Sequence, residues 1–417
     1  MNPTPRTAIV IGAGIVGASC AWHLQATGLR VTLLDHQAPG TATSYGNAGC
    51  ISPSGIVPFS YPGVMRQVPG WLLDPLGPLR IRWGHLPRLV PWLWRFWRAG
   101  NEAGVEHMAR SQLQLMQRVT ADWDELLDAI GARDLRESRG VIMVFDSEAD
   151  YRREAWQFAL KDRLGLAYRK LSPQQLRDRE PALNLPDGVA VLLPDWQHVL
   201  DPGGVTRRIA EDAFAHGVTW LEDRAQGVSV RDEGAVVISE GGKTLAADVL
   251  VVAGGPWSGA LVRQLDPQLK LPLIPKRGYH TMLAQPSVRP DHPIQSASRL
   301  FVMTPMADGL RLAGTAEFAA LDAAPDYRRA RVLVDHARHY FPGLEWQATT
   351  EWMGQRPMLP DSLPVIGRSP RHRNVIYAFG HGHWGLTQGP TTGRLVTDLV
   401  RGSDPGLDLA PYRVDRF

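Results

Sequence analysis

Residues 7–35 constrain the fold more tightly than any other stretch of the chain. Thr7 to Ile11 is a short β-branched run of the kind that forms a buried parallel strand. Gly12-Ala13-Gly14-Ile15-Val16-Gly17 follows, then an amphipathic stretch over residues 18–27, a stop at Gly28, and a second apolar run, 30–34, ending at Asp35. A strand, glycine turn, helix and strand within about 30 residues predict a right-handed βαβ unit. In that frame Gly12 allows the tight turn, Gly14 lets backbone N–H groups approach a pyrophosphate, and Gly17 lets the helix pack close to the strand. Asp35 is placed to accept ribose hydroxyls, which favours an unphosphorylated adenosine ribose, as in FAD or NAD. The plainer alternative is a glycine turn in an ordinary βαβ unit.

The rest of the chain has to accommodate that unit. Its 417 residues suit two domains or two lobes. At 44% apolar and 21% charged it has the composition of a folded globular protein, which argues against wholesale disorder. A formal charge of +3 leaves no overall footprint for nucleic acid, so none is expected as a partner. Two cysteines, Cys20 and Cys50, cannot build a disulfide framework or a multi-cysteine metal site, and no metal is expected. The opening residues read as a strand and glycine turn, not a secretory leader. No uninterrupted apolar run reaches about 18 residues, so the expectation is a cytoplasmic protein with no spanning helix.

Further along, residues 39–63 form a loop-rich stretch and 71–97 a tryptophan-rich basic section. Helical patterns cover 102–130, 148–164 and 202–216, and residues 140–145 read as a strand. Residues 218–222, 227–230 and 235–239 read as a meander of short strands. Asp248 to Gly255 is a buried strand ending in glycines, with Trp257-Ser258 opening a helix. No repeat or linker separates these pieces, so the domains are expected to interleave.

Four blocks resemble the D-amino-acid oxidase superfamily of FAD-dependent oxidoreductases, over nearly the whole chain. The first is residues 9–19 with Asp35; the resemblance implies that Gly12, Gly14, Ile15, Val16, Gly17 and Asp35 hold FAD. The second, Thr43 to Gly49, implies contacts from Ser44, Asn47, Ala48 and Gly49 along the pyrophosphate and flavin ring. The third, residues 247–261, returns to the cofactor at Ala253, Gly254 and Trp257, with Val228 nearby. The fourth joins Gly354-Gln355-Arg356-Pro357, Pro360-Asp361 and Pro364 to Gly367 with the run Gly380 to Thr387, in which Gly382, Gly385, Leu386 and Thr387 meet the flavin. Residues 385–387 precede an amphipathic pattern over 392–400, so their N–H groups lie at a helix N-terminus, whose partial positive charge suits the reduced flavin.

The implied fold class is α/β (α+β overall), with a Rossmann-like FAD-binding domain interleaved with a mixed-sheet substrate domain. Residues 1–60, 195–270 and 350–417 are assigned to FAD binding, 61–130 to a helical insertion, and 131–194 with 271–349 to substrate. The Thr43 to Gly49 block, the insertion and Gly314 to Phe318 most resemble bacterial D-amino-acid dehydrogenases and relatives acting on D-hydroxyproline. The implied reaction is hydride transfer from Cα of a D-amino or cyclic D-imino acid, such as D-proline or cis-4-hydroxy-D-proline, to the flavin, with electrons passed to a respiratory acceptor. A sarcosine or glycine oxidase-like enzyme using oxygen is one alternative, and a flavin-binding subunit of a larger complex is another.

Substrate oxidation of this kind needs a carboxylate anchor, and Arg356 matches the family's arginine while supplying a bidentate fork. Arg277 and Tyr279 are candidates on a strand expected over the flavin, and His383 is a candidate second polar contact. Cys50 either faces the site or is inert packing, Glu317 either meets a substrate substituent or is solvated, and Cys20 belongs to the core. The insertion adds a separate question. On a helical wheel Arg88, Arg95 and Arg98 gather on one side and Leu89, Val90, Leu93, Trp94 and Trp97 on the other. Two readings stay open: residues 71–98 meet the inner face of the cytoplasmic membrane and deliver electrons to a quinone, or the helix packs on the protein's own core or a partner subunit.

Overall fold

The computed structural model describes residues 6–231 and 234–417. The first five residues of the expected cofactor segment, with Asp232 and Glu233, lie outside the described residues. Among those described, two sheets set the architecture. The first runs Thr219–Glu222, Arg30–Asp35, Thr7–Ile11, Val249–Val252, Val375–Phe379, Val365–Arg368 in spatial order. Its strands are parallel except for the last pair. Such a sheet is covered on both faces, which is why Val249–Val252 is apolar throughout and wholly buried. Helices Ile15–Gln25, Pro202–Ala215, Gly385–Arg401 and Val119–Ala129 pack on one face, around Leu24, Trp123, Ile209 and Val396. The other face carries the antiparallel strands Ala225–Arg231, Gly234–Ser239 and Thr244–Ala247, with helix Ser258–Leu265.

The second sheet is mixed and nine-stranded. Ala348–Met358, Ile274–Ala284 and Gly309–Phe318 lie at one end, followed by Phe301–Met306, Ile294–Ser296, Val141–Phe145, Val189–Leu193 and Arg169–Leu171. The short strand Leu79–Ile81 adds alongside Gly309–Phe318. Most of the candidate site residues line a cavity at the junction between the two sheets.

Several boundaries differ from the sequence reading. Thr219–Glu222 is not part of the meander; after helix Pro202–Ala215 the chain crosses back and pairs parallel with Arg30–Asp35. Ala348–Met358 carries Arg356 on the second sheet, paired with Ile274–Ala284, whereas the sequence reading places residues from 350 onward with FAD binding. The pattern over 102–130 is two helices, Glu102–Met116 and Val119–Ala129, because Trp123, Leu126 and Leu127 pack into the cofactor-domain core while Val105, Met108 and Ala109 pack on Ile56. The pattern over 148–164 breaks at Glu154 into Glu148–Arg153 and Ala155–Arg163. The insertion proper therefore reduces to Val64–Leu73, Leu79–Ile81 and Leu86–Ala99.

Candidate active site

A cavity of ≈ 1090 Å³ runs between the sheets from Gly12 and Asp35 to Lys276, Arg356 and His383. It exceeds the roughly 300–1,000 Å³ of ordinary ligand pockets, as a dinucleotide plus a substrate requires. At the first end Gly12 adopts φ +110°, and a Cβ there would lie 2.4 Å from the Ala253 carbonyl oxygen. Only glycine fits that turn. The helix Ile15–Gln25 that follows has no acidic residue in its first turn, and Ser44 Oγ accepts from its Ile15 N–H at 2.9 Å. Asp35 accepts from Ala13 N–H at 2.7 Å and from Gln37 N–H at 3.1 Å, and it is one of the residues lining the cavity. A second helix, Gly385–Arg401, also begins on the cavity without an acid in its first turn. Two helix N-termini opening on one cavity fit FAD, since their partial positive charges would hold its diphosphate and its reduced, anionic ring.

The expected contacts fall into two groups. Gly12, Gly14, Ile15, Val16, Asp35, Ser44, Asn47, Ala48, Ala253, Gly254, Trp257, Gly382, Gly385 and Leu386 line the cavity. Gly17, Gly49, Val228 and Thr387 are not among its lining residues. Gly17 packs against the Gly12 carbonyl, as its position in the turn implies. Gly49 lies against the Val199 carbonyl, and Val228 sits in an apolar cluster with its N–H donated to Gln264 Oε1 at 2.9 Å. Thr387 is engaged by the neighbouring loop: Ser52 N–H donates to its hydroxyl at 3.2 Å. Cys50 lines the cavity, and burial pushes its thiol up to about 12, so it is a neutral wall group at ordinary pH.

At the far end, cross-strand pairing brings Lys276 opposite Arg356. Gly278 makes room for Arg356: a Cβ there would stand 2.2 Å from the guanidinium carbon. Burial pulls the Arg356 guanidinium down to about 10. Burial, and then Arg356, pull the Lys276 amine down to about 7. His383 is held well below the usual imidazole range by burial, then by Lys276 and Arg356. Its Nε2 is buried and has no hydrogen-bond partner among the described residues. Phe59 ties the group together, with Lys276 Nζ 4.6 Å from its ring centroid and the His383 ring 4.4 Å away. No carboxylate contributes to these three shifts. The arrangement is complementary to an anion.

Arg277 and Tyr279 do not join it. Strand side chains alternate between faces, and with Lys276 turned to the cavity Arg277 faces the other side. There its guanidinium donates to Glu317 at 3.4 Å and to the Ala324 and Ala320 carbonyls at 3.1 and 2.8 Å. Tyr279 OH donates to Glu317 at 2.7 Å and accepts from Asp326 N–H at 3.1 Å. Glu317 is buried, paired also with Arg82 at 2.7 Å, and does not line the cavity. These residues form a buried polar knot behind the sheet. Lys276 is the residue that the sequence reading missed; its only signal was its position beside Arg277. Arg311 was missed as well. Its guanidinium donates to the Tyr45 and Asn47 carbonyls at 2.9 and 2.6 Å, clamping the loop that passes along the cavity.

The chain is 38% identical, over the full length of both proteins, to a D-amino-acid oxidase from Bradyrhizobium diazoefficiens. It is 32% identical to a D-amino acid dehydrogenase from Paramagnetospirillum magneticum, covering 98% of each chain. In fold it resembles the crystal structure of glycine oxidase from Geobacillus kaustophilus, with a TM-score of 0.78 at 23% identity over 99% of each chain. The FAD dependent oxidoreductase family model matches residues 7–399, spanning both sheets and the cavity between them, and the chain belongs to that family.

Proposed function

We propose that this protein oxidises D-amino acids, or cyclic D-imino acids, by removing hydride from Cα, and delivers the electrons to a quinone-class acceptor at a membrane. The observation that carries the substrate reading is the convergence of Arg356, Lys276 and His383 on one cavity wall without a carboxylate partner. The names of the relatives support the D configuration. Arg356 takes the substrate carboxylate through its planar fork. Lys276, with its amine near about 7, accepts a proton from the substrate ammonium, leaving the neutral amine that oxidation requires. His383 is neutral and offers Nε2 to the bound substrate. The Phe59 and Trp384 rings, 5.0 Å apart, keep bulk water from this end of the cavity. Bound FAD supplies the two-electron oxidant. The imine product hydrolyses, or leaves intact when it is cyclic.

The acceptor reading is supported by one surface. Trp83, Val90, Trp94 and Trp97 are 74%, 53%, 53% and 60% exposed. Arg98, also exposed, lies 4.8 Å from the Trp94 ring centroid. Exposed indoles among arginines suit an anionic membrane interface. Among the described residues no helix is long and apolar enough to cross a membrane.

Anaerobic titration of the FAD-loaded protein tests the substrate reading. D-Alanine, D-proline, cis-4-hydroxy-D-proline, sarcosine and glycine are added in turn while flavin absorbance is followed. Bleaching by D-amino or D-imino acids is expected. Arg356→Ala should keep its FAD while weakening carboxylate substrates by about two orders of magnitude. A variant that bleaches like the wild type places the anchor elsewhere. Preference for sarcosine or glycine with fast reoxidation by oxygen would mark the oxidase alternative, and a flavin that no substrate bleaches would mark an accessory subunit.

A further inference from the structure

The charged wall continues into an apolar one along a single line of the second sheet. Arg356 stands opposite Lys276, Lys276 opposite Phe318, and Phe318 opposite Ile81. Residues opposed across a ladder project from the same face. With neighbouring strands about 4.8 Å apart, the line spans roughly 14 Å from Arg356 to Ile81. The inserted helix Leu86–Ala99 covers its apolar end. Trp92 lies 5.7 Å from the Phe318 ring and stacks on Phe96 at 5.0 Å. Phe59, Ile81, Trp92, Leu93, Phe96 and Phe318 all line the cavity that contains Arg356.

We propose that this apolar chamber receives the substrate side chain, so that the preferred substrates are D-amino acids with long aliphatic or aromatic side chains. The proposal rests on the reading that the carboxylate binds Arg356. From that anchor Cα lies near Lys276, and the next strand along the line presents Phe318. A methyl group would stop short of Phe318, Ile81 and Trp92. A leucine or phenylalanine side chain would fill the space between them and displace water from apolar walls. The insertion thus has a function on its inner face, independent of what its outer face meets.

The test compares substrates on the FAD-loaded enzyme. D-Leucine and D-phenylalanine should exceed D-alanine in kcat/KM by about 100-fold or more, since one methylene in an apolar pocket is worth roughly 10-fold or more. 3-Phenylpropionate should perturb the flavin spectrum at lower concentration than acetate, a binding readout that needs no turnover. Ile81→Ala and Trp92→Ala should each lower the ratio of D-phenylalanine to D-alanine efficiency by about 10-fold. Equal or better use of D-alanine, or tighter binding of acetate, would overturn the chamber while leaving the Arg356 reading intact. A flavin reduced by no D-amino acid, large or small, would overturn both.

Discussion

Lys276 and Arg277 are adjacent basic residues with opposite fates, and strand alternation alone separates them. Lys276 turns to the cavity beside Arg356, while Arg277 is locked onto Glu317 and three backbone carbonyls. Sequence reasoning could point to Arg356, which does line the cavity, because it sits in a recognisable glycine-flanked block. It could not choose between two neighbouring bases, because the phase of a strand is set by its partners across the ladder. The burial of Lys276 has a measurable consequence. Its amine is pulled down to about 7, by burial first and by Arg356 second, whereas in an unfolded chain it titrates near about 10.4. Between those values the unfolded chain holds a proton that the native protein does not, so this residue makes stability rise with pH across the window, and the contribution is lost as pH falls through about 7. Lys276→Met is expected to flatten the rise of melting temperature between about pH 7 and 10. It should also remove the increase in the rate of flavin reduction centred near about pH 7. Unchanged melting and rate profiles would mean that Lys276 stays charged in the native protein.

The helix Leu86–Ala99 shows the same limit over a longer stretch. A wheel sorts Leu89, Val90, Leu93, Trp94 and Trp97 onto one apolar side, yet the structure divides that side. Leu89 is buried, at 0% exposure, whereas Val90, Trp94 and Trp97 lie outside; Trp92, which the wheel groups with neither side, is buried beside Leu89 at 4%. The inner residues meet Ile81, Phe318 and Met358, a surface that exists only once the second sheet has formed. Two substitutions separate the faces. Leu89→Ala is expected to cost about 2–5 kcal/mol in chemical denaturation, as a buried leucine deletion does. The double change of Trp94 and Trp97 to Glu should leave stability within about 0.5 kcal/mol and abolish co-sedimentation with vesicles containing anionic lipid. Sedimentation unaffected by that change would remove the membrane from the account of the outer face.

The cavity is built from segments far apart in the chain, with Gly12 at one end, Arg356 near the other, and the Thr43 to Gly49 loop alongside. Filling it therefore links the two sheets. A ligand that binds only the native protein adds about 2.7 kcal/mol at roughly 100 times its dissociation constant. FAD added to cofactor-stripped protein is accordingly expected to raise the melting temperature of a single calorimetric transition. A transition that FAD does not move would place cofactor binding outside this cavity. The βαβ unit, its glycine turn and Asp35 were legible from residues 7–35, because a tight turn, a buried strand and a helix start are local requirements that neighbouring residues meet. The same holds for the Gly382 to Leu386 segment at the start of the last helix. Lys276, the Arg311 clamp, the split helix face and the place of Ala348–Met358 in the second sheet were decided only by tertiary structure. Each depends on which strand lies next to which, and that pairing joins residues separated by scores of positions along the chain.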